Sequence, residues 1–302
     1  MAPLLLPLAS LMWAGNFIVG RFAGLEASGL DPVSLAFFRW VAASILIVLI
    51  GGRFAWRDRQ VIRRHLPILA LFGLLSVTSY NTLIYLGLQT TTALNGLLLQ
   101  SVLPLMAMAF GLLLYRNPVT GRQGIGILLS LFGVAWILTR GNPLHLLESG
   151  FGIGDLYVLG AVISYAIYSA MLRQRPAIHP LSFLVVAFLT GTAFLFPIWL
   201  FTGGPATLPS RAEDWLMIAY LAVFASILAA LFFNQGVALI GANRATSFLH
   251  LMPVFGSFLA VALLGERLQL YHIGGALGVI AGLVVASGRP LLPRFGKDRG
   301  RP

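Results

Sequence analysis

Long apolar runs separated by short polar segments make up almost the whole chain. A helix needs about 20 apolar residues to cross a hydrocarbon layer of about 30 Å. Runs near that length lie at 4–25, 33–51, 66–88, 93–115, 122–139, 153–172, 180–202, 213–235, 243–264 and 270–288. The pattern therefore predicts an all-α membrane protein with ten transmembrane helices, called spans one to ten below.

The composition supports a lipid environment. Charged residues make up 10% of the chain, against about 25% in an ordinary soluble domain, and 58% of the residues are hydrophobic. The net charge of +11 is not gathered on one amphipathic face, because the basic residues lie in short segments between apolar runs. We therefore expect a lipid bilayer as partner and no nucleic acid.

The basic residues also predict an orientation. With a cytoplasmic N-terminus, fifteen of the 20 Lys and Arg residues fall in segments on the cytoplasmic side. The loops on the other side hold only Arg21, Arg140, Arg211 and Arg267. Because cytoplasmic loops of membrane proteins are rich in Lys and Arg, we expect an inner (plasma) membrane protein with both termini in the cytoplasm.

The two halves of the chain show a faint repeat. Displacing the sequence by 149 residues places 93–117 on 242–266 without a gap. The matching pairs include Pro104 with Pro253, Gly126 with Gly275, Gly133 with Gly282 and, at a slightly smaller offset, Pro32 with Pro180. The evidence for a repeat is that glycines and prolines fall in register, because the overall identity of the two halves is low.

An odd number of spans in each half has a topological consequence. The second half enters the membrane from the opposite side, so the halves are related by inversion. We predict a first five-helix repeat at 1–141, a second at 150–290 and a basic cytoplasmic tail at 291–302. Inverted repeats are typical of transporters that bind substrate in a central cavity near the bilayer midplane.

Polar side chains recur at helical spacing in several spans and predict the walls of such a cavity. In span three, Thr78, Asn81, Thr82 and Tyr85 share one helical face. The candidate substrate-binding residues are Trp13, Asn16, Thr78, Asn81, Tyr85, Gln100, Ser164, Tyr168, Asn234 and His250. For any single Ser or Thr, a hydrogen bond between helices is the simpler role. Spans five and ten are rich in glycine instead, which predicts close helix packing.

Arg39 is a charged residue well inside span two. It lies about six residues from the outer end of the span, or about 9 Å deep. It could meet a substrate carboxylate. Because the headgroups are within reach, we expect the side chain to snorkel towards them and to serve structure.

Two prolines and two helix starts are candidates for moving parts. Pro104 and Pro253 each free a backbone carbonyl in mid-span, so we predict hinges there. Thr92 and Asn243 belong to the polar links before spans four and nine. The positive N-terminus of a helix suits a carboxylate or a gate, although capping of the helix is the simpler role for each residue.

The sequence carries no signature of catalysis. It has no HExxH, P-loop or GxSxG motif, and it has no cysteine for a thiolate site. We therefore expect no enzyme, no catalytic residue, no metal and no cofactor.

Four segments resemble a known family: WAGNF in span one, FFRW in span two, LQTTTALNG before span four, and LLGERLQLYHIGGALGVIAGLVV across spans nine and ten. Together they resemble the drug/metabolite transporter superfamily in its ten-span EamA-type branch, over nearly the whole chain. Within that branch the chain looks most like exporters of aromatic and other neutral amino acids of the YddG type. The resemblance implies export of amino acids or similar small metabolites by alternating access. Spans one, three, four, six, eight and nine would line the cavity, and we expect a monomer.

Two other functions stay open: proton-coupled efflux of drugs or cationic compounds, and a receptor or scaffold that transports nothing. Efflux of cations generally needs a carboxylate at the membrane centre, but all 9 acidic residues fall at span ends or in loops. We therefore expect facilitated, bidirectional transport, with His250 as a neutral, hydrogen-bonding cavity wall.

Overall fold

The computed structural model describes residues 2–24, 30–116, 120–142, 152–240, 248–249 and 251–287. Within these ranges the regular elements are helices, and no strand occurs. The α-helices are α1 (Ala2–Gly24), α2 (Pro32–Arg57), α3 (Arg59–Arg64), α4 (Leu66–Gly73), α5 (Tyr80–Thr90), α6 (Ala93–Gln100), α7 (Leu103–Tyr115), α8 (Gly121–Leu138), α9 (Ile153–Met171), α10 (Pro180–Thr202), α11 (Ala212–Tyr220), α12 (Ala229–Ile240), α13 (Leu251–Leu264) and α14 (Leu270–Ser287). Two π-helical segments, Leu74–Ser79 and Leu221–Leu228, join α4 to α5 and α11 to α12. Short 3₁₀ turns lie at Leu172–Gln174 and Gly204–Thr207.

Six helices in the described part of the chain are long and apolar enough to cross a membrane: Leu4–Gly24, Pro32–Arg57, Leu66–Thr90, Ile153–Gln174, Pro180–Thr202 and Ala212–Gly236. A seventh candidate is the pair Ala93–Gln100 and Leu105–Tyr115, which is bent by 43°. Shorter apolar helices lie at Gly121–Ile137, Leu251–Leu264 and Leu270–Gly282. The predicted all-α class is confirmed, whereas ten membrane crossings and two inverted repeats stay predictions.

Side-chain caps fix several helix starts. The Asp31 carboxylate accepts the backbone N–H groups of Val33 at 2.8 Å and Ser34 at 3.2 Å, so α2 begins at once after it. Thr92 accepts the N–H of Asn95 at 3.1 Å and caps α6. Capping, the simpler role predicted for Thr92, is therefore what the structure shows.

Glycines bring α8 and α14 into close contact. A Cβ added to Gly133 would lie 2.7 Å from the carbonyl oxygen of Gly275, and one added to Gly282 would lie 2.5 Å from the carbonyl oxygen of Gly126. Larger side chains would push the two backbones apart. The packing role predicted for the glycines of spans five and ten is confirmed.

Hydroxyls and rings join α2 to α10. Ser44 and Thr192 share a hydrogen bond of 2.9 Å, and the rings of Trp40 and Phe188 meet edge to face with centroids 4.7 Å apart. The Trp199 indole N–H donates to Ser34 at 3.1 Å. The two helices therefore form one packed pair along much of their length.

Loop contacts separate into two ends of the bundle. At one end, the backbone N–H of His179 donates to Asp58 at 2.8 Å, and Gln174 donates to Tyr115 at 2.9 Å. At the other end, Glu266 and Asp155 contact the link between α5 and α6. Asp155 and Gln174 stand at opposite ends of one helical stretch, Ile153–Gln174, about 30 Å apart. Loops predicted to lie on the same side of the membrane thus lie at the same end.

Candidate functional site

Arg39 is the centre of a buried polar cluster. Its side chain is 4% exposed. Its Nε donates to the Ser226 hydroxyl at 3.0 Å, while Nη1 lies 2.7 Å from Asn16 Oδ1, 2.8 Å from Asn81 Oδ1 and 2.5 Å from the Tyr85 hydroxyl. We call these five residues the arginine centre. It joins α1, α2 and α5 to a segment from the second half of the chain.

The two π-helical segments orient the acceptors of the arginine centre. A π-helix is wider than an α-helix, and its altered bonding leaves carbonyl groups for side chains. The Asn81 amide nitrogen donates to the carbonyls of Ser76 at 3.1 Å and Val77 at 3.3 Å, which turns its oxygen towards Arg39. The Ser226 hydroxyl donates to the Leu221 carbonyl at 2.9 Å, which leaves its lone pairs for Arg39.

Aromatic rings cover the guanidinium group. Its carbon atom lies 4.8 Å from the ring centroid of Trp40 and 5.9 Å from that of Tyr85, both within the range of cation–π attraction. The Tyr85 hydroxyl also donates to Asn16 at 2.8 Å. Rings and neutral oxygens together hold the charge in place.

The snorkelling predicted for Arg39 is wrong. The side chain turns into the bundle, because three neighbouring elements offer hydrogen-bond acceptors at its depth. No carboxylate of a described residue pairs with it, and Nη2 makes no hydrogen bond to a described residue. A buried charge without a counter-ion is costly, so this centre favours the approach of an anion.

A row of tyrosines lies between α5 and α9. The ring centroids of Tyr80 and Tyr165 are 4.8 Å apart, and those of Tyr165 and Tyr168 are 4.9 Å apart. The Gln100 amide lies near Tyr80. Its buried Oε1 has no hydrogen-bond partner among the described residues, so it can accept a donor from a ligand.

Three of the predicted site residues bind backbone carbonyls of neighbouring helices. Trp13 Nε1 donates to Ala225 at 3.1 Å, Thr78 donates to Gly191 at 2.8 Å, and Ser164 donates to Leu75 at 2.9 Å. These bonds are the helix-joining alternative stated for Ser and Thr. Substrate contact by these residues stays a prediction.

The remaining predicted residues are dispersed. Asn234 is exposed on α12. Pro104 lies at the start of α7, beside the 43° bend, and Pro253 is the third described residue of α13. His250 and Asn243 lie outside the described residues. Movement at the two prolines stays a prediction.

A second polar cluster lies at the end of the bundle where α6 begins. The Glu266 carboxylate accepts the backbone N–H groups of Ala93 at 2.8 Å and Leu94 at 3.0 Å. Asp155 accepts the Thr91 hydroxyl and, at 3.2 Å, the Asn95 amide. His272 Nε2 lies 3.0 Å from Asn95 Oδ1. We call Thr91, Asn95, Asp155, Glu266 and His272 the outer clamp, after the side of the membrane on which the sequence predicts this end to lie.

Most of the outer clamp and the role of Arg39 do not follow from the sequence pattern. Glu266 and His272 belong to one of the segments that resemble the family, and Asp155 is a titratable residue near the start of a predicted span, so each carried a weak signal. Their partners are far away along the chain, however, and no periodic pattern pairs them. Among the described residues, no group of three or more His, Cys, Asp or Glu could hold a metal.

The sequence model of the EamA-like transporter family matches the chain twice, over residues 1–139 and 152–288. The chain belongs to the EamA-like transporter family. It is a membrane transporter, and nothing in the comparisons points to catalysis.

Relatives of this EamA transporter cover almost its full length. It is 27% identical to the uncharacterized transporter YyaM of Bacillus subtilis over 268 residues, which are 88% of this chain and 87% of the relative. It is 27% identical over 288 residues to a protein of Streptantibioticus cattleyicolor named a probable terminal-alkyne amino-acid exporter, covering 95% and 93% of the two chains. A solved crystal structure superposes with a TM-score of 0.60 at 17% identity, over 95% of this chain and 96% of the other, so the two share a fold.

Proposed function

We propose that this EamA transporter exports amino acids, aromatic and other neutral ones, or similar small metabolites by alternating access. The arginine centre carries the proposal. A buried guanidinium with neutral partners among the described residues offers its charge to the carboxylate of an amino acid. The tyrosine row and Gln100 offer stacking surface and an acceptor for the rest of the ligand.

Contacts between equivalent positions support two inverted halves. The repeat makes Gly126 equivalent to Gly275 and Gly133 equivalent to Gly282. In the structure, Gly133 packs on Gly275 and Gly126 on Gly282. Reciprocal contacts of this kind arise when two copies meet across a twofold axis, and they require α8 and α14 to run in opposite directions. Ten spans with both termini in the cytoplasm are part of this proposal.

The same centre argues against the efflux of cationic compounds. A buried positive charge repels a cation, and the described carboxylates that are buried, Asp155 and Asp214, lie in the first turns of α9 and α11. We therefore propose facilitated transport driven by the substrate's own gradient. In this proposal His250 is a cavity wall and no obligatory proton carrier.

The relative from Streptantibioticus cattleyicolor also supports an amino-acid substrate, because it is named a probable terminal-alkyne amino-acid exporter. A receptor or scaffold function would need no central charge between the halves. The polar centre therefore favours transport over this alternative.

Flux measurements test the proposal directly. Purified protein in liposomes should exchange radiolabelled phenylalanine, leucine or glutamine at equal pH on both sides, whereas empty liposomes should not. Phenethylamine, which has the ring and amine but no carboxylate, should compete poorly. Transport of phenethylamine without phenylalanine would favour cation efflux, and flux that needs an imposed pH gradient would overturn the facilitated mechanism. A gradient dependence that disappears in His250→Gln would make His250 the coupling residue.

A further inference from the structure

Glu266 ties the second half of the chain to the first at the start of α6. Its two carboxylate oxygens accept neighbouring backbone N–H groups, those of Ala93 and Leu94. The first N–H groups of a helix have no partner within the helix and carry partial positive charge. A carboxylate that takes two of them is a strong, charge-assisted link.

A left-handed glycine directly before Glu266 ends α13 and leads into the segment that carries the carboxylate. Gly265 has a φ of +66°, a left-handed conformation that glycine adopts without steric cost, and no atom lies within 4 Å of a Cβ added there. Residues 265–269 have no regular secondary structure. The carboxylate is therefore carried by a short irregular loop. The Glu266 backbone N–H donates to the Ala260 carbonyl of α13 at 3.2 Å, so the side chain can swing away from α6 while its backbone stays on α13.

The other residues of the outer clamp join further helices at the same end of the bundle. Asp155 on α9 and His272 on α14 both bind Asn95 of α6, and Asp155 also binds Thr91. Arg21 of α1 donates to the carbonyls of Leu88 at 2.9 Å and Gln89 at 3.0 Å. Helices from both halves thus meet around the link between α5 and α6.

The outer clamp and the arginine centre are connected through α5, with the clamp nearer the end of the bundle. Thr91 follows Tyr85 by six residues on and just beyond α5, which places it about 9 Å further towards the end of the bundle. A ligand that left Arg39 towards this end would move towards the level of the clamped link.

We propose that the outer clamp is a latch that closes the outward path from the arginine centre, and that release of Glu266 from α6 opens it. The inference rests on the proposed alternating access. The bonds of Glu266 to α6 come from a five-residue irregular segment, 265–269, so the carboxylate can leave α6 without disrupting a packed core. The links through Asp155 and His272 then have to open with it.

Cysteine labelling tests the latch, because the natural chain has no cysteine. Ala225 is 3% exposed and precedes Ser226 of the arginine centre, so Ala225→Cys places one buried thiol at the level of that centre. A membrane-impermeant maleimide added from outside should label it slowly. Glu266→Gln removes the charge but keeps the shape, and it should raise the labelling rate about tenfold. The matched control is Glu213→Gln, which changes an exposed carboxylate in the first turn of α11.

Two further variants keep the test decisive if Glu266→Gln folds poorly. Gly265→Ala strains the left-handed backbone and should also raise labelling, with Glu266 intact. The pair Ala93→Cys and Glu266→Cys, joined by a short thiol cross-linker, should prevent labelling and stop flux of the transported amino acid until a cleavable linker is reduced.

The outcomes separate the latch from the transport proposal. Labelling rates of Glu266→Gln and Gly265→Ala equal to that of the Glu213→Gln control would overturn the latch, as would continued flux through the cross-linked protein. If no tested amino acid is transported but Glu266→Gln still accelerates labelling, the latch stands and the proposed substrate is wrong.

Discussion

The hydroxyl oxygens of Ser44 on α2 and Thr192 on α10 lie 2.9 Å apart, although 148 residues separate them in the chain. The offset that places Pro32 on Pro180 is also 148 residues, so the two residues that meet are equivalent in the predicted repeat. Trp40 and Phe188 are equivalent in the same way, and their rings touch. Equivalent residues meet where a twofold axis passes, so this contact supports an axis between α2 and α10.

The proposed inversion, together with the distribution of Lys and Arg, predicts both termini in the cytoplasm. Green fluorescent protein fused after Pro302 should fluoresce, because it becomes fluorescent in the cytoplasm. Alkaline phosphatase fused there should be inactive, because it is active only outside the cytoplasm. The same fusions after Asn142 should give the opposite result. Phosphatase activity after Pro302 would contradict both the charge distribution and the inversion.

Replacing Arg39 with glutamine should impair both transport and stability. Asn16, Asn81 and Tyr85 lose a charged donor, so we expect the free energy of unfolding to fall by about 1–3 kcal/mol. Flux of carboxylate substrates should fall at least about tenfold. Thermal unfolding in detergent and liposome flux measure the two effects. Arg57→Gln, an exposed arginine on the same helix, is the control and should leave both values close to wild type.

Alanine at Tyr168 or Gln100 should alter transport more than folding. Tyr168→Ala removes the end of the tyrosine row, and Gln100→Ala removes a buried acceptor that has no partner among the described residues. We expect a rise in KM for aromatic amino acids, by about tenfold for a ring contact with the substrate. Equal kinetics in both variants and wild type, with folding checked by size-exclusion chromatography, would count against this placement of the site.

Gly133→Ala should destabilise the contact between α8 and α14. The new Cβ would lie 2.7 Å from both the Gly275 carbonyl oxygen and the Val279 nitrogen, which are backbone atoms that cannot turn aside. Overpacking of this kind costs about 1–3 kcal/mol. Gly124→Ala on the same helix is the matched control, because no atom lies within 4 Å of its added Cβ. Melting temperatures in detergent should fall for the first variant only.

Acid should weaken the contact at the arginine-rich end of the bundle. The Ser182 hydroxyl, and then the backbone N–H of His179, donate to Asp58 and lower the pKa of its carboxyl below the ordinary 3.8. The ionised carboxylate is thus favoured in the folded protein, and its stabilising effect is present above pH 3.8 and is lost as the pH falls through the lowered pKa. Asp58→Asn should remove this part of the acid dependence of the melting temperature. Glu213→Gln should keep the wild-type dependence, and equal curves for Asp58→Asn and wild type would refute the assignment.

Helix positions could be predicted well because a long apolar run leaves the backbone little choice in lipid. The predicted run 66–88 appears as the continuous helical stretch Leu66–Thr90, and 180–202 appears as Pro180–Thr202. The polar face of span three was only partly predictable. The π-helical segment Leu74–Ser79 interrupts the 3.6-residue period, so Thr78 turns to Gly191 while Asn81 and Tyr85 turn to Arg39.

Clusters that depend on distant residues could not be predicted. The depth of Arg39 in span two does not show which way its side chain turns, and its partner Ser226 comes 187 residues later. Glu266 and Ala93 are 173 residues apart, and neither belongs to a polar stripe. A single sequence contains no information that pairs such residues.

The burial of Arg39 also constrains how the chain is made. Of its four described hydrogen-bond partners only Asn16 is synthesised earlier, so span two enters the bilayer before Asn81, Tyr85 and Ser226 exist. An arginine at the centre of a newly inserted helix costs about 2.5–3.5 kcal/mol, and Arg39, which lies nearer the end of its span, costs no more than this. The apolar residues of Pro32–Arg57, whose best window has a mean hydropathy of 2.3, are enough to offset it. The Arg39 guanidinium then lies in the bilayer without its Ser226 partner until the second half of the chain has been synthesised. The first half therefore reaches its final hydrogen bonding only when the second half has inserted.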